Sequence, residues 1–567
     1  MKKVIEYLRP YYLRMGIGFL IKFTGTIMDL LLPYVLAHMI DNVVPTENIS
    51  QVVLWGFIMI LCSISALVTN IGANRMAARV ARDTTRTIRH DLFSKITYLS
   101  CSQTDAYGIP SLEARLTSDT YHVHQMIDRM QRLGVRAPIL LIGGIFLTLS
   151  LEPVLTLVLV AVLILVGIVV FTISRKGVPR FTQLQKSIDK MVRMVREATS
   201  GIRIIKALSK TDYEKNHFDS VNRHVVDSET TASVTMATSN PLMNLFLNTG
   251  LVCVIIVGAY RVNEGLTQTG TIIAFMSYFT IIINAMLSVN RMFILYSKGS
   301  ASASRISEVL DLPEDLLLSD EKPENDGYHV VFDRVSFSYN GKVDNIKDIS
   351  FALKKGETLG IIGPTGCGKS TIINLLIRFY DKDKGKIRIN GHPVDMIPFD
   401  ELYQKFGIVF QNDVVLAETV AENIAFGRTL SSDIIQKAAE HAQASGFISG
   451  IRDKYLHKVS SRGTNLSGGQ KQRLLIARAL AAKPEILILD DSSSALDYLT
   501  DSLLRKTLRE NYSDTTTIII AQRVSSIQHA DHILVLDNGM ETGYGTHDEL
   551  LSSCEEYKDI YQIQMQG

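Results

Sequence analysis

Four stretches in the first half of the chain are long, apolar and free of Asp, Glu, Lys and Arg: Val52 to about Ile71, Pro153 to Ser174, about Val234 to Tyr260, and Leu266 to Asn290. A helix needs about 20 such residues to cross the hydrocarbon core of a bilayer, so these stretches predict membrane-spanning helices. Ala137 to Leu151 is shorter, but only Glu152-Pro153 separates it from the next run, which suits a tight helical hairpin. About Tyr12 to Met39 completes a set of six, although it carries Lys22 and Asp29. Within the fifth span Asn240-Pro241 marks a kink, and Trp55, the only tryptophan, lies near the outer end of the second span as an interface anchor.

Basic residues cluster on the inner side of a membrane. Arg75, Arg79, Arg82, Arg86, Arg89 and Lys95 follow the second span, and Arg175, Lys176, Arg180 and Lys186 open a longer basic run after the fourth. Both connections are therefore expected in the cytoplasm, with helical periodicity continuing well beyond the bilayer. Asp41 to Gln51 and the turn between the third and fourth spans hold no Lys or Arg and are expected outside. Lys22 and Asp29 are seven residues apart, about two turns, so they share a helix face. Intramembrane charges are candidates for substrate contact or gating, and equally for lining a solvated helix contact.

At 567 residues the chain is too long for one core, and after the apolar runs its composition becomes that of a soluble α/β domain. Its 59 basic and 57 acidic residues nearly cancel, so no nucleic-acid partner is expected. The five cysteines are scattered without the spacing of a disulfide framework or a zinc site. Val4 to Leu8 is too short for the apolar core of a signal peptide and is expected as a short helix on the cytoplasmic membrane face.

The second half is organised around Gly363-Pro364-Thr365-Gly366-Cys367-Gly368-Lys369-Ser370, which fits G-x-x-x-x-G-K-[ST]. Thr358 to Ile362 before it reads as a buried strand, and Thr371 to Phe379 after it reads as a helix. In that setting the backbone N–H groups surround phosphates, Lys369 reaches the outer phosphates, Ser370 takes Mg²⁺, and the helix dipole adds positive potential. Cys367 is read as a small side chain behind the loop. Ile486 to Leu489 is another apolar strand, whose end places Asp490 to hold Mg²⁺. Ser467-Gly468-Gly469 before the helical run from Gln470 to Leu480 forms a second phosphate-facing helix start.

These motifs, in this order and behind six spans, resemble those of ATP-binding cassette (ABC) exporters over essentially the whole chain. The resemblance implies a polytopic α-helical membrane domain at 1–310, a linker at 311–327 and an α/β P-loop nucleotide-binding domain at 328–567. It implies that Tyr339 stacks on adenine, that Gln411 meets Mg²⁺ and senses the membrane domain, and that Ser494-Ala495-Leu496-Asp497 is the D-loop. It also implies that Ser467, Gly468, Gly469 and Gln470 cap ATP held by an opposite subunit, so that a second half-transporter is required. The helical segments around Cys101 to Leu116 and Ser209 to Phe218 resemble the coupling elements that rest on the cassettes.

Three positions depart from the family pattern. Asp491 stands where a glutamate usually polarises the attacking water, Gln522 replaces the switch histidine, and Ser461 replaces the glutamate before Arg462-Gly463. Asp491 is one methylene short, and a misplacement of about 1 Å at a reacting centre can cost around 10²-fold. Gln522 donates a hydrogen bond but carries no charge. Together with an intact signature, this pattern resembles the degenerate-site subunit of heterodimeric exporters in a bacterial cytoplasmic membrane. It implies an ATPase that hydrolyses MgATP mainly at the partner's site and moves an amphipathic drug, lipid or peptide outward. A homodimeric exporter with an active site here, or an ATP-binding regulatory or channel component, are the alternatives.

Overall fold

Ile49–Thr97 runs as one helix of 49 residues, since the sequence between them contains no proline to interrupt it. In chain order the helices of the first half are α1 (Lys2–Leu8), α2 (Tyr12–His38), α3 (Ile49–Thr97), α4 (Cys101–Tyr107), α5 (Ile109–Ala114), α6 (Thr120–Leu151), α7 (Pro153–Ser200), α8 (Ile202–Ala207), α9 (Thr211–Ala237), α10 (Ser239–Asn263) and α11 (Thr269–Leu310). This computed structural model describes residues 1–319, 322–324, 326–492 and 495–566. The chain divides into two units, Met1–Thr97 with Ile109–Leu312, and Tyr98–Gly108 with Pro313–Gly567.

Among the described residues of the first unit, six helical segments are long and apolar enough to cross a membrane. On α3, Val53, Phe57, Ile60, Ile64, Leu67 and Ile71 repeat every three or four residues and are all exposed, the inverse of a soluble helix and the surface that lipid requires. Its opposite face buries the small Ala66, Ala73 and Ala77. The core gathers Leu30, Leu140, Leu155, Phe275, Phe279 and Ile282, and the buried Tyr278 donates its hydroxyl proton to the Leu30 carbonyl at 2.6 Å. α6 packs along α11, and a methyl group on Gly144 would come within 2.6 Å of Ile282, so only glycine permits that approach.

The loops that hold no Lys or Arg are tied by carboxylates. Asp41 accepts from Thr271 N at 2.8 Å and from Thr271 Oγ1 at 3.1 Å, capping the first turn of α11, while the buried Glu152 pairs with Arg261 at 3.0 Å. Trp55 packs on the His38 ring with centroids 4.6 Å apart. At Asn240-Pro241 the chain does more than kink: α9 stops at Ala237 and α10 restarts at Ser239. Proline then falls in the first turn of a new helix, where its missing N–H costs nothing. The turn after α7 comes at α8 and Ser209, a left-handed residue with φ 52°, so Thr211 onward already belongs to the next long helix.

In the second unit β1 (Val330–Phe337), β2 (Ile346–Leu353), β3 (Thr358–Ile362), β4 (Lys384–Ile389), β5 (His392–Pro393), β6 (Phe406–Val409), β7 (Ile486–Asp490), β8 (Thr516–Ile520), β9 (His532–Asp537) and β10 (Met540–Gly545) build two sheets. A four-stranded antiparallel sheet runs β2-β1-β4-β5, and a six-stranded sheet runs β10-β9-β3-β8-β7-β6 with only the β10 pairing antiparallel. Continuous apolar runs make β3 and β7 because both faces are covered. Residues from Pro313 onward pack on this unit: Ser319 N donates to Asp395 O at 2.8 Å, and Glu324 pairs with Arg388 and with Lys386 at 3.0 Å. Arg378 is fully buried, donates from Nε to Asp381 at 2.9 Å and from Nη2 to the Leu317 carbonyl at 2.5 Å, and stacks 5.1 Å over Phe399.

Candidate nucleotide site

Four neighbouring parallel strands end on one side of the six-stranded sheet, and each delivers one part of the site. β3 runs into the loop from Gly363, β8 leads through Ala521 to Gln522, β7 ends in Asp490 and Asp491, and β6 leads through Phe410 to Gln411. The register fixes their levels, with Ile361 opposite Ile520 and Asp490 also opposite Ile520. Ligands in open parallel sheets bind beyond such carboxyl ends. Here a cavity of about 190 Å³ opens there, lined by Asn345, Thr365, Gly366, Gly368, Lys369, Ser370, Thr371, Gln411, Asp490, Asp491, Ile520 and Gln522.

The loop turns into α12 (Lys369–Leu376) through Gly368, whose φ of 100° and close approach to Asn345 O exclude a side chain. Lys369 Nζ donates to the carbonyls of Gly363 at 2.8 Å and Pro364 at 2.7 Å, neutral acceptors that phosphate oxygens can outcompete. Cys367 is buried behind the loop, and that burial pushes its thiol pKa up against the opposing effect of Lys369. Ser370 Oγ donates to Asp490 Oδ2 at 3.0 Å. Burial raises the Asp490 carboxyl above its ordinary value, the Ser370 hydrogen bond opposes this, and the adjacent Asp491 charge adds to it.

Asp491 has a left-handed backbone with φ 50°. Its Oδ2 accepts from Gln522 Nε2 at 2.8 Å and from Gln411 Nε2 at 3.3 Å. The two departures seen in sequence are thus hydrogen-bond partners, joined because β7 and β8 are neighbours. Tyr339 is exposed beside α12: its hydroxyl accepts from Asn374 at 3.1 Å and lies 3.4 Å from Thr371 Oγ1. The Tyr380 ring meets it edge-on at 5.0 Å. Asn345, which holds Tyr339 N at 3.0 Å and lines the cavity, carried no signal in the sequence beyond its nearness to Tyr339.

Ser467, Gly468, Gly469 and Gln470 line no part of this cavity. They start α17 (Gly468–Ala481), which follows α13 (Phe399–Gln404), α14 (Val420–Ala425), α15 (Ser432–His441) and α16 (Ser445–Gly450). Gln470 N donates to Ser467 Oγ at 3.3 Å and Ser467 N to Gln470 Oε1 at 2.9 Å, a reciprocal cap that leaves the glycine backbone bare. The buried Arg478 anchors this helix through Asn423 O at 2.9 Å and Val414 O at 3.0 Å, a role invisible to motif reading. Ala495 O lies against Gly469, and Asp497 caps α18 (Tyr498–Asn511) by accepting from Thr500 N at 2.9 Å. Of the D-loop, Leu496 is buried and Ser494 lies outside the described residues.

Lys22 and Asp29 do not touch each other directly. Lys22 Nζ donates to Asn70 Oδ1 at 2.8 Å and Asn74 Oδ1 at 3.1 Å, whereas Asp29 accepts from Asn70 at 3.4 Å and pairs with Arg136 at 3.1 Å.

Residues 15–286 match the family described as the ABC transporter transmembrane region, and residues 346–494 match the ABC transporter family. The chain is 33% identical over its full length, and over 98% of the relative, to the uncharacterized ABC transporter ATP-binding protein YfiB of Bacillus subtilis (strain 168). It is 31% identical over 98% of its length, and 96% of the relative, to the uncharacterized ABC transporter ATP-binding protein MT1311 of Mycobacterium tuberculosis (strain CDC 1551 / Oshkosh). A solved structure of a bacterial Atm1-family ABC exporter with ATP bound shares the fold, with a TM-score of 0.83 and 24% identity over 98% of both chains. With six apolar helices ahead of the two-sheet unit, and relatives that match from end to end, the chain is a multi-pass membrane protein and belongs to the ABC transporter family.

Proposed function

We propose that this chain is the degenerate-site subunit of a heterodimeric exporter, binding MgATP between Tyr339, the loop from Gly363 to Ser370, Thr371, Gln411, Asp490, Asp491 and Gln522. The observation that carries this reading is the Asp491 carboxylate held by two neutral amides, at 2.8 Å and 3.3 Å. A short carboxylate engaged in that way is a poor general base, and neither glutamine supplies a cation to a developing phosphoryl charge. The other composite site joins this chain's Ser467 to Gln470 with the partner's cradle, and hydrolysis there resets the pump. Both cassettes lie on the cytoplasmic side, as the basic inner connections imply.

The oxygen donors fit a hard cation. Among the described residues no three His, Cys, Asp or Glu side chains cluster as a metal cage, so Mg²⁺ would be held by Ser370, Asp490 and Gln411 together with phosphate oxygens. When bound it neutralises charge on the outer phosphates. Because the Asp490 carboxyl is raised, protons compete with Mg²⁺ at a higher pH than at an ordinary aspartate, near 3.9. Mg²⁺-dependent ATP binding should therefore begin to fall, as pH is lowered, above the usual aspartate range. Titrating ATP affinity with and without Mg²⁺ reads this.

Purification of the lone chain in lipid nanodiscs tests the reading as a whole. MgATP binding should be intact, while turnover should lie about 10²-fold below that of the complex with its partner. Full turnover by the lone chain would instead support the homodimer.

α4, although it comes from between two membrane helices, clusters with the cassette unit, and Tyr380 donates its hydroxyl proton to Asp105 at 2.5 Å while its ring touches Tyr339. Tyr380→Phe keeps the ring and deletes that bond. ATP affinity should hold, whereas the lipid-stimulated part of the complex's ATPase should drop about fivefold, the lower end of typical coupling free energies.

A further inference from the structure

Among the described residues, the membrane unit gathers more positive than negative charge where α2, α6 and α11 meet. Lys22 is 4% exposed, and among the described residues its hydrogen-bond partners are the neutral oxygens of Asn70 and Asn74. Arg136 has one carboxylate partner among the described residues, Asp29, which also accepts from Asn70. Arg291 donates to Ser288 Oγ at 3.4 Å and has no carboxylate partner among the described residues. Arg132 cancels against Asp128 at 2.8 Å and adds nothing to the balance. Among the described residues these three cations share one carboxylate partner, and of the three only Arg136 lines the cavity, together with that carboxylate, Asp29.

The cavity beside Asp29 and Arg136 measures about 290 Å³ and is bounded on the other side by Thr280, Asn284 and Ser288 of α11. These recur every four residues and so form one polar row on α11. Thr280 and Ser288 donate their protons to carbonyls of their own helix, at 3.2 Å and 2.9 Å. One Asn284 N–H is likewise committed, to Thr280 O at 3.0 Å. Donation to a ligand thus falls to Arg136 and the second Asn284 N–H, a set that suits an anion. Leu133, Leu140 and Ile281 complete the wall, so an apolar chain can lie beside the anionic group. At this volume the cavity holds a head group rather than a whole amphiphile.

We propose that this cavity binds the anionic head group of an amphipathic substrate, a carboxylate, phosphate or sulfonate, with Arg136 as its principal contact. The proposal rests on the exporter reading above and narrows its substrate to one charge class.

The test uses the full chain in phosphatidylcholine nanodiscs without nucleotide, titrated with three dansyl-labelled long-chain probes that end in a carboxylate, a primary amide or a trimethylammonium group. The carboxylate should bind about tenfold more tightly than the others, as one charge-assisted hydrogen bond implies. Arg136→Gln should abolish that preference, and Arg136→Lys should retain part of it. Equal affinities for the three probes, or a preference for the cation, would overturn the proposal. Loss of carboxylate binding when phosphatidylglycerol replaces part of the phosphatidylcholine assigns the anion to a lipid head group, and unchanged binding assigns it to a soluble amphiphile. Either result keeps the anion chemistry. MgATP binding on the same samples separates the two readings, because its absence would undo the exporter assignment, whereas absent probe selectivity would undo only this one.

Discussion

Asp491→Glu combined with Gln522→His is expected to raise hydrolysis at this chain's own cradle by about 10- to 100-fold. Asp491 occupies the position next to the Ser370–Asp490 pair, yet its carboxylate is drawn to Gln522 at 2.8 Å. Glutamate adds about 1 Å of reach, the scale on which misplacement costs catalysis. Histidine beside a carboxylate has its pKa raised, so it carries charge more often and can compensate negative charge on the phosphoryl group. Because the two side chains are bonded to each other, their effects should not be additive, and the double variant should exceed the product of the single ones. The measurement is ATPase activity in a complex whose partner has lost its own catalytic carboxylate, so that only this site reports. A double variant no faster than the starting chain would show that these two residues are not what limits turnover here.

How much of this was legible beforehand depends on the range of the interaction. The apolar runs needed only composition, since lipid removes the alternatives to a helix, and the loop from Gly363 to Ser370 needed only its own spacing and flanks. Asp491 and Gln522 were each visible as departures, but their contact required the order β3-β8-β7-β6, which no local pattern encodes. Lys22 and Asp29 stood out by charge alone. Asn70 and Asn74, which hold Lys22, are uncharged residues at the end of an apolar run, and Arg136 sits one residue before another, 107 positions from the aspartate it pairs with. The break at Ala237–Ser239 read as a kink because proline inside a helix and proline in the first turn of the next look alike in sequence. That α4 clusters with the cassette unit was suggested only by family resemblance, and the Tyr380–Asp105 bond behind it spans 275 positions.

The opposite asymmetry is expected at the signature. Ser467→Arg in this chain should reduce the ATPase of the complex by about 10²- to 10³-fold, the scale seen when a preorganised donor to a transition state is removed. On the proposed heterodimer reading, Asp491→Asn should change it by no more than about twofold, because turnover is then carried by the partner's site. The reciprocal cap between Ser467 and Gln470 holds the first N–H groups of α17 toward a ligand, and an arginine there removes the cap and covers the bare backbone of Gly468 and Gly469. Local collapse does not follow, since Arg478 anchors α17 from its far side through Asn423 and Val414. Nor does loss of this chain's own nucleotide, because none of Ser467 to Gln470 lines the cavity formed by Lys369, Asp490 and Asp491. MgATP binding by the isolated Ser467→Arg chain should therefore equal that of the unsubstituted chain, which separates a lost contribution to the partner from misfolding. If Asp491→Asn instead proved as damaging as Ser467→Arg, the cradle at Gly363 to Ser370 would itself be driving the cycle, and the two cassettes would have to be equivalent.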